Sequence, residues 1–220
     1  LSTALADGSH TLSVKAVDPA GNASTVSNNL TITIDSSEPD APNQPDLKDA
    51  SDTGFSVTDN NTSSTTPTFT VTGVSNTDSI VFSMGGQTIT EVATGSSVEI
   101  SIPVSLNDGD YTASAVTYDL AGNASSSSSS LTVTIDTQAP GSPNAPDLVS
   151  DSDTGRENVD NITNETQPQF TVGNVASGDS LYLVFQNQST LEKDTTARVL
   201  SNSSTASFTS STSHGDSHIS

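Results

Sequence analysis

Hydrophobic residues in this chain recur at every second position in short runs. His10, Leu12, Val14 and Ala16 alternate with Thr11, Ser13, Lys15 and Val17, and Leu30, Ile32 and Ile34 alternate with threonines. An alternation of period two marks a strand with one buried face. Further along, Phe69 and Val71 share a face, as do Ile80, Phe82 and Met84. Val98, Ile100, Ile102, Val104 and Leu106 then read inward against Glu99, Ser101, Pro103 and Ser105. Pro103 has no N–H to give to a ladder, which places its strand at a sheet edge or a bulge. A strand from Tyr111 to Tyr118 and a last one with Leu131, Val133 and Ile135 follow, and a short strand near Leu47 and a weak one from Thr88 to Val92 complete the set. Turn signals separate them: Val74–Asp78, Gly85–Gly86, NDGD at 107–110 and DLAGN at 119–123. No stretch shows helical periodicity with caps. Seven short strands in about 100 residues predict an all-β fold, an aligned antiparallel β-sandwich.

The pattern repeats. Residues 18–54 read DPAGNASTVSNNLTITIDSSEPDAPNQPDLKDASDTG and residues 119–155 read DLAGNASSSSSSLTVTIDTQAPGSPNAPDLVSDSDTG, an offset of 101 (119 − 18). The same offset relates Asp35 to Asp136 and Asp52 to Asp153. Periods this long belong to whole domains placed end to end, since solenoid turns run about 20–50 residues. The expected organisation is the end of one repeat at 1–35, a complete repeat at 36–136 and a third at 137–220 that stops before its last strand. Pro-rich segments at about 36–45 and 137–146 read as extended linkers. In the third copy Phe170 and Val172 match Phe69 and Val71, and Leu181, Leu183 and Phe185 match Ile80, Phe82 and Met84. Beyond Glu192 the offset becomes 106, set by residues 213–220 against 107–114, which implies a five-residue insertion (106 − 101). The start at Leu1 and the lack of an export segment read as a piece of a longer protein.

Composition narrows the chemistry. Twenty-six acidic residues face 5 basic ones, a net charge of −21, and that sign excludes phosphate binding to nucleic acid. A hydrophobic share of 30% with 4% aromatic predicts a thin core of Val, Ile, Leu and a few Phe. There is no cysteine, so no disulfide staples the domains, and no run approaches the roughly 18 apolar residues of a membrane span. No serine has a motif-supported His and Asp, and no phosphate loop or zinc signature is present, so catalysis is not expected. The pair His214 and His218 reads as exposed, and sequons such as Asn22, Asn123, Asn161 and Asn187 are expected by chance in so Asn/Ser/Thr-rich a chain. Residues 151–161, DSDTGRENVDN, fail as an EF-hand because Arg156 and Ile162 stand at its glycine and glutamate positions.

The ordered series SDTG, DNxT, TPTFTV (TQPQFTV in the third copy), DGxYT, DxAGNxS and LTVTIDTxAP resembles the bacterial Ig-like domains repeated in giant cell-surface and biofilm adhesins of the RTX type. It covers the whole second copy, the end of the first and most of the third. The resemblance implies tandem Ig-like sandwiches, a stalk or extender role outside the cell, and calcium at or near the domain junctions. His10 and Ser217 depart from it where the complete copy has Tyr111, so a tyrosine-corner contact would be peculiar to that copy.

Short Asp carboxylates in loops suit hard, oxygen-liganded cations. An Ig-like topology sorts them into two groups. Asp35 arrives from the preceding copy to meet Asp119 and Asp78, and Asp136 meets Asp179 at the next joint. Asp52 and Asp59 of the long polar loop share the far pole with Asp108 and Asp110, and Asp153 and Asp160 repeat the loop part. The competing reading is that Asp and Asn only close turns. For function, the stalk of a secreted or surface-anchored adhesin stands first, with neighbouring repeats as partners and other domains reaching surface or matrix ligands. A glycan- or protein-binding module and an accessory stalk of a secreted polysaccharide-degrading enzyme remain as alternatives.

Overall fold

The computed structural model describes residues 3–186, 193–195, 199–201 and 203–209, and every regular element among them is a strand. His214, Ser217, His218, Asn187 and the match of residues 213–220 lie outside the described residues. No helix of the described residues is long and apolar enough to cross a membrane. The chain forms two compact units, Leu1–Gln138 and Ala139–Ser220.

The first unit opens with an antiparallel pair, β1 (Gly8–Leu12) and β2 (Leu30–Ile34). A sandwich follows, made of β3 (Asp46–Leu47), β4 (Asn61–Thr62), β5 (Thr68–Thr72), β6 (Ser79–Met84), β7 (Gln87–Val92), β8 (Ser97–Ser101), β9 (Gly109–Tyr118) and β10 (Leu131–Ile135). One sheet has the order β3-β5-β8 and the other β4-β10-β9-β6-β7. The period-two alternation does what it predicts: Phe69, Val71, Ile80, Phe82, Ile100 and Val133 are fully buried in a single core between the sheets. Each such side chain contributes about 1.5–3 kcal/mol by leaving water.

Three details differ from the sequence reading. The alternation Val98 to Leu106 does not run through as one strand: β8 ends at Ser101, and Val104 is 63% exposed while Ile102 and Leu106 stay buried. β8 is the edge of its sheet, as Pro103 requires, and the chain peels away there. The Gln87 side chain takes over the pairing, giving its amide to the Val104 carbonyl at 2.8 Å and accepting the Val104 N–H at 3.2 Å. Second, the long loop is not wholly irregular, because β4 lies parallel to β10, with Thr134 N–H donating to Asn60 O and Asp136 N–H to Thr62 O. Third, the serine run hides a spacing. Ser125 and Ser128 are buried; their hydroxyls accept the Thr117 and Ala115 N–H groups at 3.0 Å, and their own N–H groups return to the same residues. Ser24 and Ser27 do the same for Ala16 and Val14, which is why β1 ends early while the pairing continues.

Tyr111 makes the corner contact, its hydroxyl donating to Asn107 O at 2.9 Å. The expectation that this contact is peculiar to one copy is corrected: His10 donates from Nε2 to Ala6 O at 2.8 Å, the matching pair of positions. Tyr111→Phe removes only that hydroxyl, next to an exposed carbonyl. We expect a loss of about 0.5–1 kcal/mol, read as a lower urea midpoint with an unchanged slope; an unchanged midpoint would remove the corner from the account.

The second unit carries β11 (Asp147–Leu148), β12 (Gln169–Gly173), β13 (Ser180–Leu181), β14 (Val184–Gln186), β15 (Lys193–Thr195), β16 (Val199–Leu200) and β17 (Thr205–Thr209). β11-β12-β17 form one sheet, and β13 pairs with β16 and β14 with β15. Val172, Leu183, Ala206 and Phe208 make its core. Phe170 faces Phe208 across β12 and β17 as Phe69 faces Ile100, so Phe208 stands 108 residues beyond Ile100 (208 − 100). Seven residues (108 − 101) therefore separate this strand from the regular offset, against the five expected further on.

Candidate cation site

The long loop of the complete copy folds around Asp52. Lys48 O accepts the N–H groups of Ser51 and Asp52, a tight turn that drives the Asp52 side chain inward until it is 2% exposed. Its Oδ2 accepts the Asn60 N–H at 3.1 Å, while Oδ1 is buried and takes no hydrogen bond. Asn60 holds a left-handed backbone, φ 58°, which turns the chain back over the carboxylate; Asn tolerates that region better than most residues. Asp59 accepts from Asn61 N–H at 3.1 Å and Ser56 N–H at 3.3 Å. Gly54 closes the ring of contacts: a Cβ there would run into the Asn61 carbonyl oxygen and lie 3.0 Å from Asp59 Oδ1.

The second unit builds the same arrangement from a different loop, with RENV (156–159) in place of FSVT (55–58). Asp153 is 3% exposed, its Oδ2 accepts the Asn161 N–H at 3.1 Å, and its Oδ1 is again buried without a partner. Asn161 has φ 59°, and Asp160 accepts from Ile162 N–H at 3.1 Å. A Cβ at Gly155 would meet the Ile162 carbonyl and approach Asp160 Oδ1 to 3.1 Å. A buried, unsatisfied carboxylate oxygen is costly, and here it occurs twice at matching positions. Burial raises the Asp52 pKa above the ordinary carboxylate range; the Asn60 N–H opposes that shift, and the neighbouring charge of Asp59 adds to it.

These donors fit a hard cation. Among the described residues no group of three or more His, Cys, Asp or Glu is gathered, so any ion here would combine two carboxylates with main-chain carbonyls and water. Calcium accepts such mixed oxygen sets, six to eight ligands at about 2.3–2.6 Å. Nitrogen- or sulfur-seeking metals find nothing suited to them in this loop.

The aspartates expected at the joints each accept a main-chain N–H from their own turn. Asn123 brings Asp35 and Asp119 to one amide: its Nδ2 donates to Asp119 Oδ2 at 2.8 Å and to the Asp35 main-chain carbonyl at 3.1 Å. Asp119 Oδ1 also accepts the Ala121 and Asn123 N–H groups at 2.9 Å, and the Asn123 amide side chain leads in holding its pKa below the usual range. The Asp35 carboxylate accepts the Ser37 N–H at 3.1 Å. Asp78 is buried and closes its own turn, accepting the Ser75 N–H at 2.9 Å. Asp136 accepts the Gln138 N–H at 2.9 Å within the first unit, and Asp179 the Ala176 N–H at 2.8 Å within the second. Asp108 and Asp110, expected at the same pole as Asp52, engage the end of β10 and the residues after it: Asp110 accepts from Thr134 Oγ1 at 2.7 Å and Asp108 from Thr137. The role of Asp108 escaped the sequence reading; the signal present was the Asp-Gly pair at 7–8 and 108–109.

Two facing sheets, antiparallel except for the β4–β10 pair, with long polar loops at the poles define an immunoglobulin-like module. The chain belongs to the bacterial Ig-like domain family, whose model it matches over residues 1–36, 39–137 and 140–218. Among solved structures it is similar, at 18% identity and a TM-score of 0.35 over 93% of this chain and 64% of the other, to one from a 1.5-MDa bacterial ice-binding adhesin studied for host cell surface retention. A second, at 16% identity and a TM-score of 0.26 over 93% of this chain and 50% of the other, is the Bacteroides ovatus mixed-linkage glucan utilization locus protein SGBP-B with a mixed-linkage heptasaccharide. The chain thus spans about two thirds and half of the length of these structures. No curated protein matches the chain.

Proposed function

We propose that this chain is part of the stalk of a large secreted or surface-anchored bacterial adhesin. Tandem Ig-like modules, joined by Pro-rich linkers and stiffened by calcium, would hold a binding region away from the cell, with no catalytic role of their own. The extender role is supported by a chain filled with one module type and devoid of any motif for reaction chemistry. The observation that carries the calcium part is the recurring orphan oxygen, Asp52 Oδ1 and Asp153 Oδ1, each with a second loop aspartate, Asp59 or Asp160, at the same loop glycine. Like charges in close quarters repel until an ion neutralises them. At the first joint the Asp35 carbonyl and the Asp119 carboxylate already share Asn123, and an ion there would draw on Asp35, Asp78 and Asp119.

Titrating the full chain with calcium and recording small-angle scattering with and without chelator tests both parts. We expect saturable uptake with at least one ion for each long loop, and a maximum dimension that shortens in chelator. Absence of uptake sinks the calcium reading; uptake with an unchanged scattering profile confines calcium to the loops and removes the stiffening.

A further inference from the structure

We propose that the aspartate before β1 and before β9, Asp7 and Asp108, is a metal-independent clasp that fixes the first residues of each linker to the domain they leave, confining bending to the few linker residues beyond.

Asp7 Oδ1 accepts the Ser36 N–H at 3.1 Å and the Ser36 hydroxyl at 2.8 Å, and its Oδ2 accepts the Ser37 hydroxyl at 3.1 Å. Asp108 does the same at the matching position. Its Oδ1 accepts the Thr137 N–H at 3.0 Å and hydroxyl at 2.8 Å, and its Oδ2 accepts from Gln138 Nε2 at 3.2 Å. The partners change from Ser-Ser to Thr-Gln, yet the geometry persists. The backbone explains the placement. Gly8 opposes Ile34 and Gly109 opposes Ile135 as the last rungs of their ladders. Both glycines hold positive φ, 128° and 145°, a region side chains rarely adopt, and this turns the preceding aspartate across the end of the partner strand. The carboxylate then supplies the acceptors that a further rung would have supplied. Both groups are held below the ordinary carboxylate range, Asp7 chiefly by the Ser36 hydroxyl and Asp108 chiefly by the Thr137 hydroxyl.

The other end of the first linker is tied as well. The Asn43 N–H donates to Thr72 O and its side-chain amide to Thr72 Oγ1, both at 2.9 Å, and Gln44 Nε2 donates to Ser130 O at 2.6 Å. Pro42 is buried. Glu38–Pro39–Asp40–Ala41 make no hydrogen bond to either domain, so the unclasped part of the linker is much shorter than the Pro-rich segment. Asn123, reaching from the following domain to the Asp35 carbonyl, lies just before the clasped residues.

The test uses the full chain in chelator, which separates this device from any calcium effect. Amide hydrogen exchange should show Ser36 and Thr137 slowed at least about tenfold relative to an unstructured peptide. Asp7→Ala should release Ser36, and Asp108→Ala should release Thr137, while Ile34 and Ile135 keep their protection. Backbone order parameters of the unaltered chain give a second reading that needs no variant: Ser36, Ser37 and Thr137 should sit near the rigid value of about 0.85, with Asp40 and Ala41 well below it. Fast exchange at Thr137 in the unaltered chain, protection that survives Asp108→Ala, or uniformly low order from Ser36 to Ala41 would each overturn the clasp.

Discussion

Phe82→Ala is expected to lower the stability of the first unit by about 3–5 kcal/mol, the cost of deleting a buried ring and leaving its cavity. Phe82 is fully buried on β6, between β9 and β7, and its ring lies 5.0 Å from that of Phe69 on the facing sheet. The composition makes the loss hard to repair. With 6 Phe, 3 Tyr and no Trp in the chain, the neighbours of Phe82 are mainly aliphatic, and Ala113 and Ala115 on β9 cannot reach into the space. The second unit solves the same problem one inward position later: Leu183 stands where Phe82 stands, and Phe185 packs on Phe170 at 5.6 Å. Phe185 is half-buried, so Phe185→Ala should cost less. Urea unfolding of the full chain resolves this, since separate units need not melt together. The first-unit midpoint should fall steeply with Phe82→Ala and stay put with Phe185→Ala. Equal small shifts in both would mean that the rings do not carry the core.

Alternation made the core legible because burial on a strand leaves a trace at every second residue. Phe69, Ile80, Phe82 and Val133 could be placed from that alone. Val104 could not, since its inward parity is cancelled by a main-chain event: Pro103 ends the ladder and a distant glutamine, Gln87, replaces it. Hydroxyl-mediated pairing leaves no apolar trace at all. Ser125 and Ser128 extend the pairing of β9 by hydroxyls, and inside a run of serines their spacing is invisible until the acceptors are known. For the aspartates, sequence position located the loops and the repeat picked out the recurring acids. It could not tell which oxygen is already occupied. Asp119 and Asp52 look alike as letters, yet the first has its oxygens filled by Ala121 and Asn123 while the second keeps one buried and empty-handed. The Asp7 and Asp108 contacts lie beyond sequence for the same reason, joining residues about thirty positions apart through side chains.

Asp52→Asn should have opposite effects with and without calcium, and that reversal is the sharpest test of the loop. In chelator, the unaltered protein carries a buried carboxylate oxygen with no donor, beside the charge of Asp59. The amide of Asn can still accept the Asn60 N–H through its oxygen and can offer its NH2 to Asp59. A hydrogen bond to a charged group is worth about 1.5–3 kcal/mol, and each kcal/mol moves the melting temperature of a domain this size by about 4–8 °C. The chelated variant should therefore melt higher than the chelated parent. With calcium at about a hundred times its dissociation constant the parent gains about 2.7 kcal/mol by linkage, and the variant, lacking the buried anionic ligand, should gain little and fall behind. The pH response follows from the same oxygen. A carboxyl whose folded pKa is raised binds its proton more tightly in the folded state, so its charge penalises folding at neutral pH, and the penalty fades as pH drops through the raised value toward 3.8. The chelated parent should gain stability over that descent relative to Asp52→Asn, which has no proton to take up there. A variant that is destabilised equally in chelator and in calcium would show that Asp52 is only a turn-closing residue, and the loop would lose its claim to a cation.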